Sequence, residues 1–195
     1  MRAEALACPR CDLASTRTQV VFGEGDPHAR ILLIGEGPGA DENATGRPFV
    51  GRAGKLLDLV LENAGLKRDE LYITNVVRCR PTSVKDGLIS NRAPRAGEVR
   101  ACEVWRSAEI ELVDPKVVVC VGAPAAKTLI SRDFKITEQR GRLVPREDGR
   151  TYIATLHPAY LLRLANADRN AYVRVRAEVV DDLRAAASAA SGTEV

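Results

Sequence analysis

The sequence predicts an α/β fold of three layers, with a central four-stranded parallel sheet and helices on both faces. Four short apolar runs alternate with helical patterns in the order β-α-β-α-β-α-β-α, which calls for parallel strands joined by helical crossovers. The chain has 195 residues, 45% hydrophobic and 28% charged, which suits one compact α/β domain and excludes disorder for its bulk. A single domain over residues 1–188 is expected, with 189–195 as a frayed tail. Aromatic residues make up only 4%, so the core must be built from Val, Leu, Ile and Ala.

Each element has a local reason. The stretch Met1–Cys8 lacks the apolar core of roughly 7–15 residues that a secretory signal needs, so a cytoplasmic protein is expected. The first strand is Arg30–Gly35, running into Gly35-Glu36-Gly37-Pro38-Gly39. Ala53, Leu56, Leu57, Val60, Leu61 and Ala64 recur at helical spacing across Gly51–Ala64, and Gly65 stops that helix. Strand Leu71–Val77 follows, then helix Ala96–Leu112, strand Lys116–Val121, helix Ala123–Ser131, strand Thr151–Leu156 and a terminal helix Ala171–Ala189. The longest apolar run, Val117–Ala126, contains Gly122 and Pro124 and is too short to cross a bilayer, so no membrane role is expected.

In open parallel sheets the site lies outside the carboxyl ends of the strands. Those ends carry Glu36, Asn75, Gly122-Ala123 and His157-Pro158-Ala159, so a carboxylate, a carboxamide and an imidazole should converge on one edge. The first loop formally matches the dinucleotide fingerprint G-x-G-x-x-A. However, Pro38 and the polar stretch Asp41–Pro48 delay the helix, and the second strand ends in Asn75 rather than an acid. No phosphate loop of the form G-x-x-x-x-G-K-[ST] occurs.

Five cysteines in a cytosolic chain point to metal ligands or buried thiols rather than disulfides. Cys120 lies in the apolar strand and reads as core. Cys8 and Cys11 form a C-x2-C, and Cys79 and Cys102, each near arginine, remain as partners. Four thiolates suit either zinc or an iron–sulfur cluster, and the 22 residues between the second pair weaken a zinc ribbon without excluding it. The net charge of +3 is too small to establish nucleic-acid binding by itself. The cations nevertheless cluster, as Arg47, Arg52 and Lys55, then Arg78, Arg80, Lys85, Arg92, Arg95 and Arg100, then Arg163, Arg169, Arg174 and Arg176.

Six ordered motifs, Gly35-Glu36-Gly37-Pro38-Gly39, Thr45-Gly46-Arg47-Pro48-Phe49-Val50-Gly51, Ile73-Thr74-Asn75, Cys79-Arg80-Pro81, Asn91-Arg92-Ala93-Pro94 and His157-Pro158-Ala159-Tyr160-Leu161-Leu162, span nearly the whole chain. Together they resemble the iron–sulfur uracil-DNA glycosylases of family 4. The resemblance implies a uracil-DNA glycosylase-like fold, a structural [4Fe-4S] cluster on Cys8, Cys11, Cys79 and Cys102 beside the DNA-binding face, and uracil-containing DNA, single- or double-stranded, as partner of a monomer. It implies an enzyme that flips uracil out of the strand and hydrolyses its N-glycosidic bond, leaving an abasic site for base excision repair.

Under that reading Phe49 stacks on the base, and Asn75 reads its Watson–Crick edge with one donor and one acceptor. His157 donates toward O2 of the departing uracil. The resemblance assigns Glu42 the exclusion of the thymine methyl. Gly37 stands where better-known uracil glycosylases carry an aspartate, so the water is expected on backbone groups of this loop, shaped by Glu36. Asn43 departs from an Asp frequent in the family. Leu161 is the expected wedge into the base stack, its alternative being the start of a core helix. Two other classes fail on specific residues. A non-catalytic iron–sulfur binding module needs no Asn75–His157 pair, and a zinc deaminase needs an H-x-E that the chain lacks.

One branch of the superfamily captures the DNA sugar covalently with a histidine on a long Arg-rich loop, which makes a uracil-DNA-binding protein of little turnover the alternative. Phe134–Gly141 also resembles that branch. Here Asn91 stands where that histidine would be, and no histidine occurs between His28 and His157. A carboxamide is a poor nucleophile toward an oxocarbenium-like sugar, so water is expected to win. On a denaturing gel, abasic product should exceed the enzyme concentration. A stoichiometric protein–DNA band that survives detergent and heat would overturn this.

Overall fold

The computed structural model describes residues 1–192. Eight strands are present: β1 Glu24–Gly25, β2 Ile31–Gly35, β3 Tyr72–Asn75, β4 Thr82–Lys85, β5 Leu88–Asn91, β6 Val117–Val121, β7 Val144–Pro145 and β8 Thr151–Thr155. The helices are α1 Arg2–Leu6, α2 Ala40–Thr45, α3 Arg52–Asn63, α4 Ala96–Val113, α5 Ala123–Leu129, α6 Ile136–Gln139, α7 Pro158–Ala167 and α8 Arg169–Ser191. The main sheet has the order β1-β3-β2-β6-β8-β7. Its four central strands are parallel, as expected, but β1 and β7 add an antiparallel strand at each edge, making six. Two-residue edge strands carry no periodicity a sequence could reveal.

Period-two alternation divides the core between the two faces. Ile31 and Leu33 of β2, with Val117, Val119 and Val121 of β6, pack with Leu57 and Leu61 of α3, Leu161 of α7 and Val179 and Leu183 of α8. Leu32, Ile34, Val118 and Cys120 face the other way, against Ile110 and Val113 of α4 and Ala125 and Ala126 of α5. Burial of each such large side chain contributes about 2 kcal/mol relative to exposure. Helix α8 continues through Ala190, which is buried, so the expected tail does not begin at 189. Residues 193–195 of that tail lie outside the described residues. Among the described residues no helix is long and apolar enough to cross a membrane.

A buried polar network ties the end of β3 to α4 and to the N-terminal segment. Glu109 of α4, 1% exposed, accepts from Gly23 N at 3.0 Å and from Thr74 Oγ1 at 2.6 Å. It also pairs with the guanidinium of Arg78, itself 1% exposed, which donates in addition to the carbonyl of Asn75. Removing one partner of such a pair leaves an uncompensated buried charge. Glu109→Ala should therefore destabilise the fold by about 3 kcal/mol, measured as a lowered urea midpoint. An unshifted midpoint would show that the pair carries no such weight.

Candidate active site

The carboxyl ends of β2, β3, β6 and β8 open into a cavity of about 570 Å³. Its walls include Glu36, Gly37, Glu42, Phe49, Asn75, Asn91 and His157, drawn from segments up to 121 residues apart. The expected convergence of carboxylate, carboxamide and imidazole is thus what the topology produces. Register alone brings two of these segments together, because Gly35 pairs with Asn75 in the β2–β3 ladder. A Cβ on Gly35 would sit 2.5 Å from the Phe49 ring and 2.6 Å from Asn75 Oδ1, so the ring and the amide flank the same spot.

Phe49 adopts φ 51°, the left-handed region that a bulky side chain rarely enters. Arg68 holds it there, donating from Nη2 to Pro48 O at 2.7 Å and from Nη1 to Phe49 O at 3.3 Å. Arg68 is itself anchored by ion pairs to Glu24 at 3.2 Å and Asp58 at 2.8 Å. The Phe49 ring lies 5.9 Å from the His157 ring, centroid to centroid.

His157 is the N-cap of α7, and its Nδ1 accepts from Ala159 N at 3.1 Å. A nitrogen accepting a backbone N–H carries no proton, so the neutral ring places its proton on Nε2. Burial, with Arg163 nearby, pushes this imidazole down to about 4 against an opposing pull from Glu42. At neutral pH the ring is therefore an uncharged Nε2–H donor.

Glu42 is more constrained than a pocket wall requires. Its Oε2 accepts from Gly39 N at 3.0 Å, and Oε1 accepts from Val50 N at 3.0 Å and Gly51 N at 2.9 Å. One carboxylate thereby joins the glycine-rich loop to the chain entering α3. Burial raises the pKa of Glu36, which favours its protonated form. Gly37 has a steric reason to lack a side chain, since a Cβ would lie 2.8 Å from Cγ2 of the buried Val77. Asn43, 8% exposed, pins the N-terminal segment by accepting from Thr18 N at 2.9 Å and donating to Thr18 Oγ1 at 2.8 Å.

Two expectations are corrected. Leu161 is 0% exposed, packed among α3, α8 and the sheet, so it cannot enter a base stack. The segment after His157 is helix α7, and its period places Leu161 inward while Tyr160 and Arg163 line the cavity. Arg78 also leaves the basic clusters, because it is spent on Glu109 in the interior.

Cys8, Cys11, Cys79 and Cys102 line a second, small cavity together, whereas Cys120 is buried in β6. Three of the sulfurs accept from N–H groups: Cys8 from Trp105 Nε1 at 3.2 Å, Cys79 from Arg17 Nη1 at 3.7 Å and Cys102 from Arg78 N at 3.3 Å. Burial pushes the Cys79 thiol up to about 11, opposed by Arg17, and raises Cys102 likewise. Among the described residues no three His, Cys, Asp or Glu side chains are close enough to hold one ion. A tetrahedral zinc would draw its sulfurs to about 3.8 Å from one another, whereas a cluster takes one thiolate per iron and spreads them around a larger body. Four thiols on one cavity are a donor set that suits a thiolate-bound metal centre. Trp105 and Arg17 gave no sequence signal, since only folding brings them to the thiol cavity.

The profile of the Uracil DNA glycosylase superfamily matches residues 22–184. A Type-4 uracil-DNA glycosylase of Thermotoga maritima is 41% identical over 93% of this chain and 88% of its own. One from Archaeoglobus fulgidus is 38% identical over 82% of this chain and 80% of its own. A Type-5 uracil-DNA glycosylase of Thermus thermophilus is 36% identical over 70% of this chain and 68% of its own. With the matched region enclosing the whole sheet and its cavity, the chain belongs to the uracil-DNA glycosylase superfamily and, within it, to the type-4 family.

Proposed function

We propose that this uracil-DNA glycosylase excises uracil from DNA as a monomer in the cytoplasm, dividing the work among the residues of the 570 Å³ cavity. The observation that carries the reading is the joint placement of Phe49, Asn75 and His157 in that cavity, with His157 held neutral and its Nε2 free. A base inside the duplex is out of reach of any side chain, so the nucleotide must rotate into the cavity. Phe49 offers its face to the pyrimidine. Asn75, at the rigid end of β3, matches the O4 acceptor and N3–H donor of uracil and mismatches cytosine. Glu42 shapes the loops on the C5 side, where the methyl of thymine would have to fit.

Departure of the base places negative charge on uracil and positive charge on the sugar. A neutral donor aimed at O2 stabilises the developing anion without first having to lose a proton. Val77 occupies the space next to Gly37, so the attacking water is held by backbone groups of this loop with Glu36 beside them. Cys8, Cys11, Cys79 and Cys102 would each give one thiolate to a [4Fe-4S] cluster. When bound, such a cluster supplies a structural clamp between the N-terminal segment, the chain after β3, and α4. Asn91 at the cavity rim is tied to Arg80 Nε by its Oδ1 at 2.7 Å, so no strong nucleophile competes with water at this position.

Asn75→Asp should lower uracil excision roughly 100-fold and open measurable release of cytosine, whereas Asn75→Ala should lower the first without the second. Wild-type rates for both would remove Asn75 as the base reader. His157→Ala should cut the single-turnover rate roughly 100-fold and leave DNA affinity within about twofold. Because the folded imidazole is depressed to about 4 from 6.5, the neutral His157 donor persists through the ordinary histidine range. The stability tied to this group is complete above pH 6.5 and is lost as pH falls toward about 4. A wild-type rate profile with an inflection near 6.5 that disappears in His157→Ala would contradict this. Iron content tests the cluster. Cys79→Ser should lose iron and visible absorbance, Cys120→Ser should keep both, and stoichiometric zinc without iron in anaerobically purified wild type would refute the assignment.

A further inference from the structure

We propose that the hairpin of β4 and β5 is an apolar wedge that presses the Val84–Ile89 pair into duplex DNA beside the nucleotide held in the cavity. The inference rests on the cavity taking a flipped uridine. With the hydrophobic effect driving such groups inward, three large apolar side chains within six residues stand out in the open here: Val84 at 70% exposed, Leu88 at 75% and Ile89 at 63%. They do not lie on a frayed loop. Asp86 and Gly87 both have positive φ, 53° and 75°, the paired left-handed geometry of a two-residue turn that matches the twist of its strands.

Register places the apolar pair relative to the site. Thr82 pairs with Asn91, Ser83 with Ser90, Val84 with Ile89 and Lys85 with Leu88. Alternation puts the Thr82–Asn91 and Val84–Ile89 pairs on one face. Asn91 lines the cavity, so Val84 and Ile89 continue the cavity face outward by about 7 Å, the length of two base steps. The base of the hairpin is fixed. Arg92 donates from N to Pro81 O at 3.1 Å and from Nε to Thr82 O at 2.9 Å, and pairs with Glu98 of α4 at 2.6 Å. With Arg92 taken up by Glu98, the cations Arg80, Lys85 and Arg95 still outnumber the one carboxylate of 80–95, Asp86, as a phosphate-lined partner requires. Apolar groups wedged between base steps hold a kinked, unstacked strand open; Leu161 is buried, and Tyr160, the exposed ring of α7 at the cavity, is covered by the Arg163 guanidinium at 5.6 Å.

The test compares single-turnover excision from a uracil:guanine duplex and from the same uracil strand alone. Val84→Thr with Ile89→Thr keeps the β-branched shape that strands favour while making the pair polar. Val84→Ile with Ile89→Val keeps it apolar. The Thr variant should lose about tenfold on the duplex and stay within about twofold on the single strand, with reduced fluorescence from a 2-aminopurine placed next to the uracil. The apolar exchange should behave as wild type. An unchanged duplex rate, or an equal loss on both substrates, would overturn the wedge. So would a wild-type dimer that the Thr variant dissolves at an unchanged duplex rate, since the surface would then belong to a second copy. Wild-type protein that released uracil from neither substrate would overturn the cavity reading and the wedge with it.

Discussion

The pairing of Arg78 with Glu109 in the interior is the interaction on which the rest of the arrangement depends. Both side chains are 1% exposed, and neither could be buried alone. Glu109 gathers Gly23, Thr74 and Arg78, while Arg78 also takes the carbonyl of Asn75. The Asn75 amide therefore projects from a backbone whose carbonyl is satisfied on the inner side. Arg78 sits between Val77, which fills the space next to Gly37, and Cys79, and its own N–H bonds Cys102 Sγ. One short segment, residues 75–79, thus joins the Asn75 amide, the glycine-rich loop and the thiol cavity. Strain or slippage at any one of them would be felt at the others.

The chemistry follows the same economy of charge. At the glycine-rich loop the Glu42 carboxylate is taken up by the N–H groups of Gly39, Val50 and Gly51, and burial biases Glu36 toward its neutral form. The histidine is neutral as well, kept so by burial and by the backbone N–H that occupies Nδ1. Asn75 and the neutral His157 bring dipoles rather than charges to a cavity that Glu42, Arg92 and Arg163 also line. In the proposed reaction such a donor would matter only once the bond to the sugar stretches and charge appears on the base, so it would favour the transition state by orientation.

The DNA-facing surface is assembled differently from the core. Arg47 and Arg92, both in the sequence clusters of cations, are engaged with Glu24 and Glu98, and Arg78 is internal. Charge clustering along a chain is therefore a poor guide to which cations meet phosphate. Exposed apolar groups are more informative, because hydration disfavours them unless something covers them. Three such side chains, Val84, Leu88 and Ile89, sit on the hairpin that carries Asn91 of the cavity, while the helical period of α7 turns Leu161 inward.

By itself the sequence determined the parallel α/β core, the polar edge where strands end, the four-thiol set and the family. Each of these is written in local signals: apolar runs, helical spacing, strand-terminal residues and ordered motifs. It determined Gly37 as a position without a base, though not why. Tertiary structure alone decided that Val77 fills that space, that Glu42 is a bracket between two loops, that Arg78 is a core cation, and that Leu161 faces inward. The edge strands and the hairpin register also belong to this second group, since two to four residues carry too little periodicity to declare a strand. The physical reason is common to all of them. A side chain's role depends on which neighbours desolvate it and which donors reach it, and a decisive neighbour can be far along the chain, as Glu109 is 31 residues from Arg78.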